Sequence, residues 1–257
     1  MIGRGAGSAG PQVERAGSAG PQVERAGSAG PQIEQVLEAL ATVRDPELDE
    51  PLTELGFVAS IEIAESSVLV RLRLPTYFCA PNFAYMMTAD ARAALEATPG
   101  VGRAEVVLID HHASDVISSG VRDGRGFVET FPGEATGELG GLRRLFQAKA
   151  FLARQGRLCA GLTRRGLTPR ELASLRLADL PECADTRAYL ERRSDLGLDS
   201  SAGARFLVDA AGRPPPEEAL EDHLRFARAV GLSLETNASF CRGLLATRYG
   251  SLKEATA

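Results

Sequence analysis

FVASIEIAESSVLVRLRL, residues 57–74, alternates apolar and polar positions twice, with a break at Glu65-Ser66. In 57–64 Ala59, Ile61 and Ile63 fall on one side and Val58, Ser60 and Glu62 on the other. In 67–74 Val68 and Val70 give way to Arg71 and Arg73 at a period of two. A period of two is that of a half-buried strand, so the stretch predicts a β-hairpin with one wet face. Upstream, PQIEQVLEALATV (31–43) places Ile33, Val36, Leu37, Leu40 and Val43 at helical spacing, and Pro31 suits a first turn. Asp45-Pro46 ends that helix, because a residue before proline avoids the α region. Downstream, the loop PTYFCAPNF leads to a helix over about 81–97, stopped by Pro99-Gly100, and RAEVVLI (103–109) reads as a third strand. The order helix, strand, strand, helix, strand predicts an α+β domain over 31–112, with helices on one face of a three-stranded sheet.

Residues 6–35 are three copies of a ten-residue unit, AGSAGPQVER twice and then AGSAGPQIEQ. Each copy has two Gly, one Pro and one sizeable aliphatic residue, too little apolar surface to offset its ordering entropy. Residues 1–30 are therefore expected to be a disordered tail. Residues 113–137, rich in Gly, read as a connecting segment. Residues 138–257 read as a mostly helical domain. Helices are expected at about 138–160, from the capping box Thr168-Pro169-Arg170-Glu171, at 185–196, at 217–230, and from an N-cap at Asn237 to Tyr249. RFLVDAAGRP (205–214) reads as a short strand and turn.

The chain of 257 residues is 44% hydrophobic and 25% charged, as in an ordinary globular protein. It has no run of 18 apolar residues and no apolar signal core at its start, so a cytoplasmic protein without a membrane span is expected. Only two of the 29 basic residues are lysine, a bias that fits a GC-rich bacterial genome. The net charge of −5 argues against an extensive nucleic-acid surface. It is unevenly spread: residues 31–112 carry five basic and thirteen acidic side chains, and residues 113–257 carry 21 and 19. The change near 112 suggests two units with different surfaces.

The four cysteines at 79, 159, 183 and 241 form no C-x-x-C pair, which excludes a local zinc ribbon. Cys79 lies in a loop just before a predicted helix, where free N–H groups and the helix dipole favour a thiolate, the form that ligates metals and attacks electrophiles. The plain alternative is a small buried hydrophobe. Asp110-His111-His112, with Asp115 beyond, stand where the third strand ends and offer oxygen and imidazole donors suited to iron, manganese or zinc. Successive side chains on an extended chain point to opposite sides, so both histidines reach one ion only if the backbone turns. A solvated polar strand end is the plain reading. Glu134 and Glu138 are further carboxylates for a dinuclear centre, and Cys241 is a minor extra ligand. Cys159 reads as core, Cys183 as a loop residue and His223 as a solvated histidine. Arg164-Arg165 and the helix after them resemble a phosphate-contacting helical pair, against the simpler reading of a solvated amphipathic one.

Asp45-Pro46-Glu47 after the first helix, Leu55-Gly56-Phe57-Val58, then Thr76 three residues before Cys79-Ala80-Pro81, resemble the small iron–sulfur assembly domain of SufT-like proteins. Its relatives include the PaaD-like maturation factors of phenylacetate oxygenation and a subunit of the eukaryotic cytosolic iron–sulfur targeting complex. The resemblance covers about residues 32–110. It departs from the pattern at Tyr77-Phe78, where small residues are usual, and at Asp49-Glu50-Pro51. It implies a maturation role, with Cys79 as the reactive cysteine holding an iron–sulfur cluster or iron and a client apoprotein as partner. The helical extension resembles that of proteins associated with bacterial diiron monooxygenases, which implies a monooxygenase component as client. Cys79, His111, His112 and Asp110 are then the candidate metal ligands. A single cysteine per domain admits a bridged homodimer, ligands from a partner, or a pure adaptor. A thiol enzyme with Cys79 as nucleophile, His111 or His112 as base and Asp110 as orienter is the competing reading, and it needs a Cys–His hydrogen bond.

Overall fold

The computed structural model describes residues 12–15, 21–26 and 30–250. The fold is α+β. It divides into two compact units, one made of residues up to 45, 50–138 and from 241 onward, the other of 46–49 and 139–240.

The first unit holds a five-stranded sheet in the order β1-β2-β3-β4-β5: Gln12–Arg15, Gln22–Ala26, Val58–Ala64, Ser67–Arg73 and Arg103–Ile109. The hairpin β3–β4 is antiparallel, with Ile61 opposite Val70. Strand β5 returns parallel to β4 after helix α2 (Pro81–Glu96), and β2 runs parallel to β3 after helix α1 (Ile33–Thr42). One sheet face carries Ile61, Ile63, Val68, Val70, Leu72, Val106 and Leu108, all buried together with Val36, Leu40, Met86, Met87 and Leu95 of the helices. The pairing register shifts between Val58 and Ser60. That irregularity buries Val58 along with Ile61 and Ile63, where strict alternation places it on the opposite side.

The three-stranded expectation is corrected at its edge. The repeat segment supplies β1 and β2, so the reading of residues 1–30 as a tail fails for Gln12–Arg15 and Gln22–Ala26; residues 6–11, 16–20 and 27–29 of the repeats lie outside the described ones. A bare edge of β3 exposes unpaired N–H and C=O groups, and β2 satisfies them with Val23, 7% exposed, opposite Ile61. The third copy of the repeat enters α1 instead of a strand.

The segment 113–137 is not a bare connection either. It holds α3 (Ser114–Arg122), which packs on β5 through buried Ile117 and Val121, and α4 (Phe127–Thr130). Gly120 is what lets the two helices meet: a Cβ there falls 2.4 Å from Thr130 Oγ1.

In the second unit α5 (Gly140–Arg164), α6 (Pro169–Ser174), α7 (Ala184–Asp195) and the first part of α8 (Leu220–Tyr249) enclose Phe151, Leu158, Tyr189 and Phe206. The capping box forms as read: Glu171 Oε2 accepts from the Thr168 N–H at 2.7 Å. Residues 205–214 form no strand; Phe206 to Val208 are buried in irregular chain. Side chains replace the missing ladder. Tyr189 donates to the Phe206 carbonyl (2.7 Å), and fully buried Gln155 donates to the Phe206 and Val208 carbonyls (3.3 and 3.0 Å). With its amide nitrogen committed, Gln155 presents Oε1 to His223, whose Nε2 therefore donates at 2.7 Å. His223 is half-buried and partnered, not solvated as expected. Helix α8 runs unbroken through Asn237, so two expected helices are one. An N-cap residue starts a helix only where the chain before it is non-helical, and 231–236 contains no proline to make it so.

Asp49 also belongs to the second unit. It is buried with φ of 54°, and its carboxylate meets Arg154 Nε at 2.7 Å and Arg192 Nε at 3.4 Å. The left-handed backbone is one that Asp tolerates better than most residues.

Candidate functional site

The β4–β5 ladder ends at the pair Arg73–Ile109. Beyond it the two chains separate: residues 75–80 lead from β4 to α2, and residues 111–113 lead from β5 to α3. Asp110 turns the second arm with φ of 54°. Because of that turn the rings of His111 and His112 lie on the same side, 4.4 Å apart, and not on opposite sides as on an extended chain.

The two arms are sewn together by these histidines. The His112 N–H donates to the Tyr77 carbonyl at 3.0 Å, and His112 Nδ1 donates to the same carbonyl at 3.0 Å. His111 Nε2 reaches the Cys79 carbonyl at 2.7 Å, while its Nδ1 accepts the Ala113 N–H at 3.1 Å. A carbonyl only accepts, so the proton of neutral His111 sits on Nε2. Burial lowers the pKa of His111, with His112 and Arg248 acting in the same sense and the bond to the Cys79 carbonyl opposing. Both ring nitrogens of His111 are thus spent on the backbone. It shapes the loop and has no lone pair for a metal or for the Cys79 proton. His112 differs: donation from Nδ1 to a carbonyl is the arrangement that leaves Nε2 as a ligand.

Cys79 is partly exposed, and its sulfur lies 3.4 Å from Thr76 Oγ1. Pro81 stands at the first position of α2, and the Phe83 N–H is taken by Asn82 Oδ1 (2.9 Å) and the Ala80 carbonyl (3.1 Å), so what the helix start offers the neighbouring cysteine is the positive end of its dipole. Phe78 is 77% exposed and Tyr77 48%. The two rings meet edge to face at 5.0 Å, and Phe78 lies 5.7 Å from the His112 ring. The aromatic pair that breaks the family pattern therefore stands out from the surface beside the thiol.

The expected ligand set does not form as a unit. Among the described residues no three His, Cys, Asp or Glu side chains gather closely enough to hold a metal ion. His111 is consumed by the backbone, and the structural role of Asp110 is its turn. Cys79 and His112 keep donor atoms for an incoming group. Glu138 accepts from the Phe127 and Val128 N–H groups at 3.3 Å and so caps α4. Cys159 is buried, and burial pushes its thiol up to about 12, which makes it inert core as expected. Cys183 is the N-cap residue before α7, with its sulfur 3.4 Å from Thr186 Oγ1, and that hydrogen bond lowers its pKa. The sulfur of Cys79 meets a threonine and not an imidazole, so the Cys–His bond that a thiol enzyme requires is not made here.

Sequence reasoning missed Arg248. It lies in the last turn of α8, 138 residues beyond Asp110, and donates to the Leu74 carbonyl (3.2 Å) and the Asp110 carbonyl. No local signal near residue 248 marks it, because its partners are backbone carbonyls.

No helix of the described residues is long and apolar enough to cross a membrane. No curated protein and no solved structure matches the chain. One family does. A family model described as iron-sulfur cluster assembly protein matches residues 33–106, from α1 into β5. The match includes Thr76 and Cys79 and stops short of His111, His112 and Arg248. Residues 33–106, under a third of the chain, are thus similar to the iron–sulfur cluster assembly protein family.

Proposed function

We propose that the protein is a maturation factor that holds iron or an iron–sulfur cluster in transit and passes it to a client apoprotein, with Cys79 as its thiolate ligand. The observation that carries this reading is the placement of Cys79: partly exposed, just before the start of α2, inside the segment that matches the assembly family. His112 Nε2 is the second donor. One thiolate and one imidazole are fewer than the four ligands that a cluster takes. That shortage suits a carrier, since a closed four-ligand site retains its metal. The remaining ligands come from the client or from a second copy of the chain. The client class we propose is a metal-dependent oxygenase, on the resemblance of the helical extension.

The test is anaerobic reconstitution with iron and sulfide, read by bound iron, bound sulfide and absorption, for wild type, Cys79→Ala and His112→Ala. The expected result is cluster absorption in wild type, none in Cys79→Ala and a labile cluster in His112→Ala. Undiminished iron and sulfide in Cys79→Ala sinks the reading.

A further inference from the structure

We infer that Arg248 is a positioning residue for Cys79, so that the last turn of α8, far outside the family-matched segment, completes the site. The inference rests on the reading of Cys79 as the working thiol. It starts from the strand ends. After the last ladder pair, Arg73–Ile109, the next carbonyls on the two strands are those of Leu74 and Asp110. One guanidinium bridges both: Nη1 takes Leu74 and Nη2 takes Asp110. It continues the ladder by one rung, with charge-assisted bonds in place of an amide.

This rung closes a ring. From Leu74 the chain runs through Thr76 and Tyr77 to Cys79. His111 and His112 bond back to Cys79 and Tyr77, and Asp110 returns to the guanidinium. The distance between the two arms is thus fixed at the tip by imidazoles and at the base by Arg248. A plain polar decoration of a helix end does not account for two strand-end carbonyls held by one side chain. Arg248 is itself held: its guanidinium lies 5.2 Å from the ring centroid of Tyr249, and that of Arg73 lies 4.8 Å from the same ring. A cation in the last turn of a helix is also favoured by the helix dipole.

The test compares full-length wild type, Arg248→Gln and Arg248→Lys by iodoacetamide alkylation, resolved by peptide mass spectrometry. Cys183 in the other unit is the internal reference, and buried Cys159 reports global opening. We expect Arg248→Gln to raise the Cys79 rate relative to Cys183 about tenfold, as for the loss of a charge-assisted hydrogen bond that holds a loop closed. Lysine keeps the charge but has no planar fork to hold both carbonyls, so Arg248→Lys should fall between wild type and Arg248→Gln. A Cys79-to-Cys183 ratio unchanged in Arg248→Gln overturns the inference. So does a Cys159 rate that rises in step with Cys79. Iron takes no part in this measurement. A Cys79→Ala protein that keeps its iron defeats the carrier reading and leaves the Arg248 result standing.

Discussion

His111 donates from Nε2 to the carbonyl oxygen of Cys79 across 2.7 Å, and not to the sulfur two bonds beyond the same Cα. The histidine that sequence offers as a metal ligand or a general base is thereby a brace for the loop backbone. The residue is 4% exposed. His111→Ala removes a buried hydrogen-bonded ring and leaves the Cys79 carbonyl and the Ala113 N–H without their partner. A loss of about 2 kcal/mol is expected in denaturant unfolding, together with faster alkylation of Cys79. A variant of wild-type stability and wild-type Cys79 reactivity shows that the brace is idle.

Stability should also fall with mild acid. Burial depresses the pKa of both His111 and His223 below the ordinary 6.5. For His111 the bond to the Cys79 carbonyl opposes that shift, and for His223 the carboxylate of Asp209 opposes it. In the unfolded chain both rings take a proton as pH falls through the ordinary value, while the folded protein resists until its lower value is reached. The unfolded state then binds more protons, so the contribution is complete above about pH 6.5 and declines below it. Melting temperature measured from pH 8 to pH 5 should show this decline in wild type. His223→Gln keeps an amide donor for Gln155 and removes one titrating ring, so its decline should be shallower. An identical slope assigns the acid sensitivity to other groups.

Gly156 sets how closely α5 meets α8. A Cβ on it falls 2.7 Å from the Ala227 carbonyl oxygen, a clash with backbone that no side-chain rotation relieves. On an isolated helix Gly→Ala stabilises by about 1 kcal/mol. Here the sign should reverse, and Gly156→Ala should destabilise by about 2 kcal/mol, as overpacking does. Gly140 has nothing within 4 Å of its Cβ position and serves as the control that does not destabilise. Equal effects at the two sites remove Gly156 from the packing argument.

What sequence revealed and what it hid divide along local and non-local interactions. The strands 103–109 and 67–73, the helix that begins at Pro81 and the capping box at Thr168 are written in periodicity and caps, and they stand where they were read. Cys79 was legible for the same reason, since a cysteine before a helix start is a local pattern. The buried chain at 206–208 carries strand-like residues, but its carbonyls go to Gln155 and Tyr189 on two helices, which no local pattern reports. Helix α3 was hidden by its serines and Gly120, residues that favour loops until Thr130 is placed against them. The division of labour between His111 and His112 depends on which carbonyl each ring meets. Adjacent histidines are indistinguishable until the turn at Asp110 is known.

The repeat offers the sharpest test of a strand against a tail. The segment PQVER at 21–25 is too polar to order itself, yet Val23 is 7% exposed and lies opposite Ile61. The order comes from the sheet, because β3 would otherwise end in unpaired backbone groups. A charge at Val23 has to be buried there or the strand has to leave, while on a solvated tail it costs nothing. Val23→Asp should therefore lower stability by about 2 kcal/mol, combining a lost buried valine with a carboxylate that has no cationic partner. Hydrogen exchange at Ile61 and Ile63 should accelerate, since the strand that shields β3 is weakened. If Val23→Asp melts with wild type and β3 exchanges at its original rate, the repeat contributes nothing to the sheet and its strand-like residues are a tail after all.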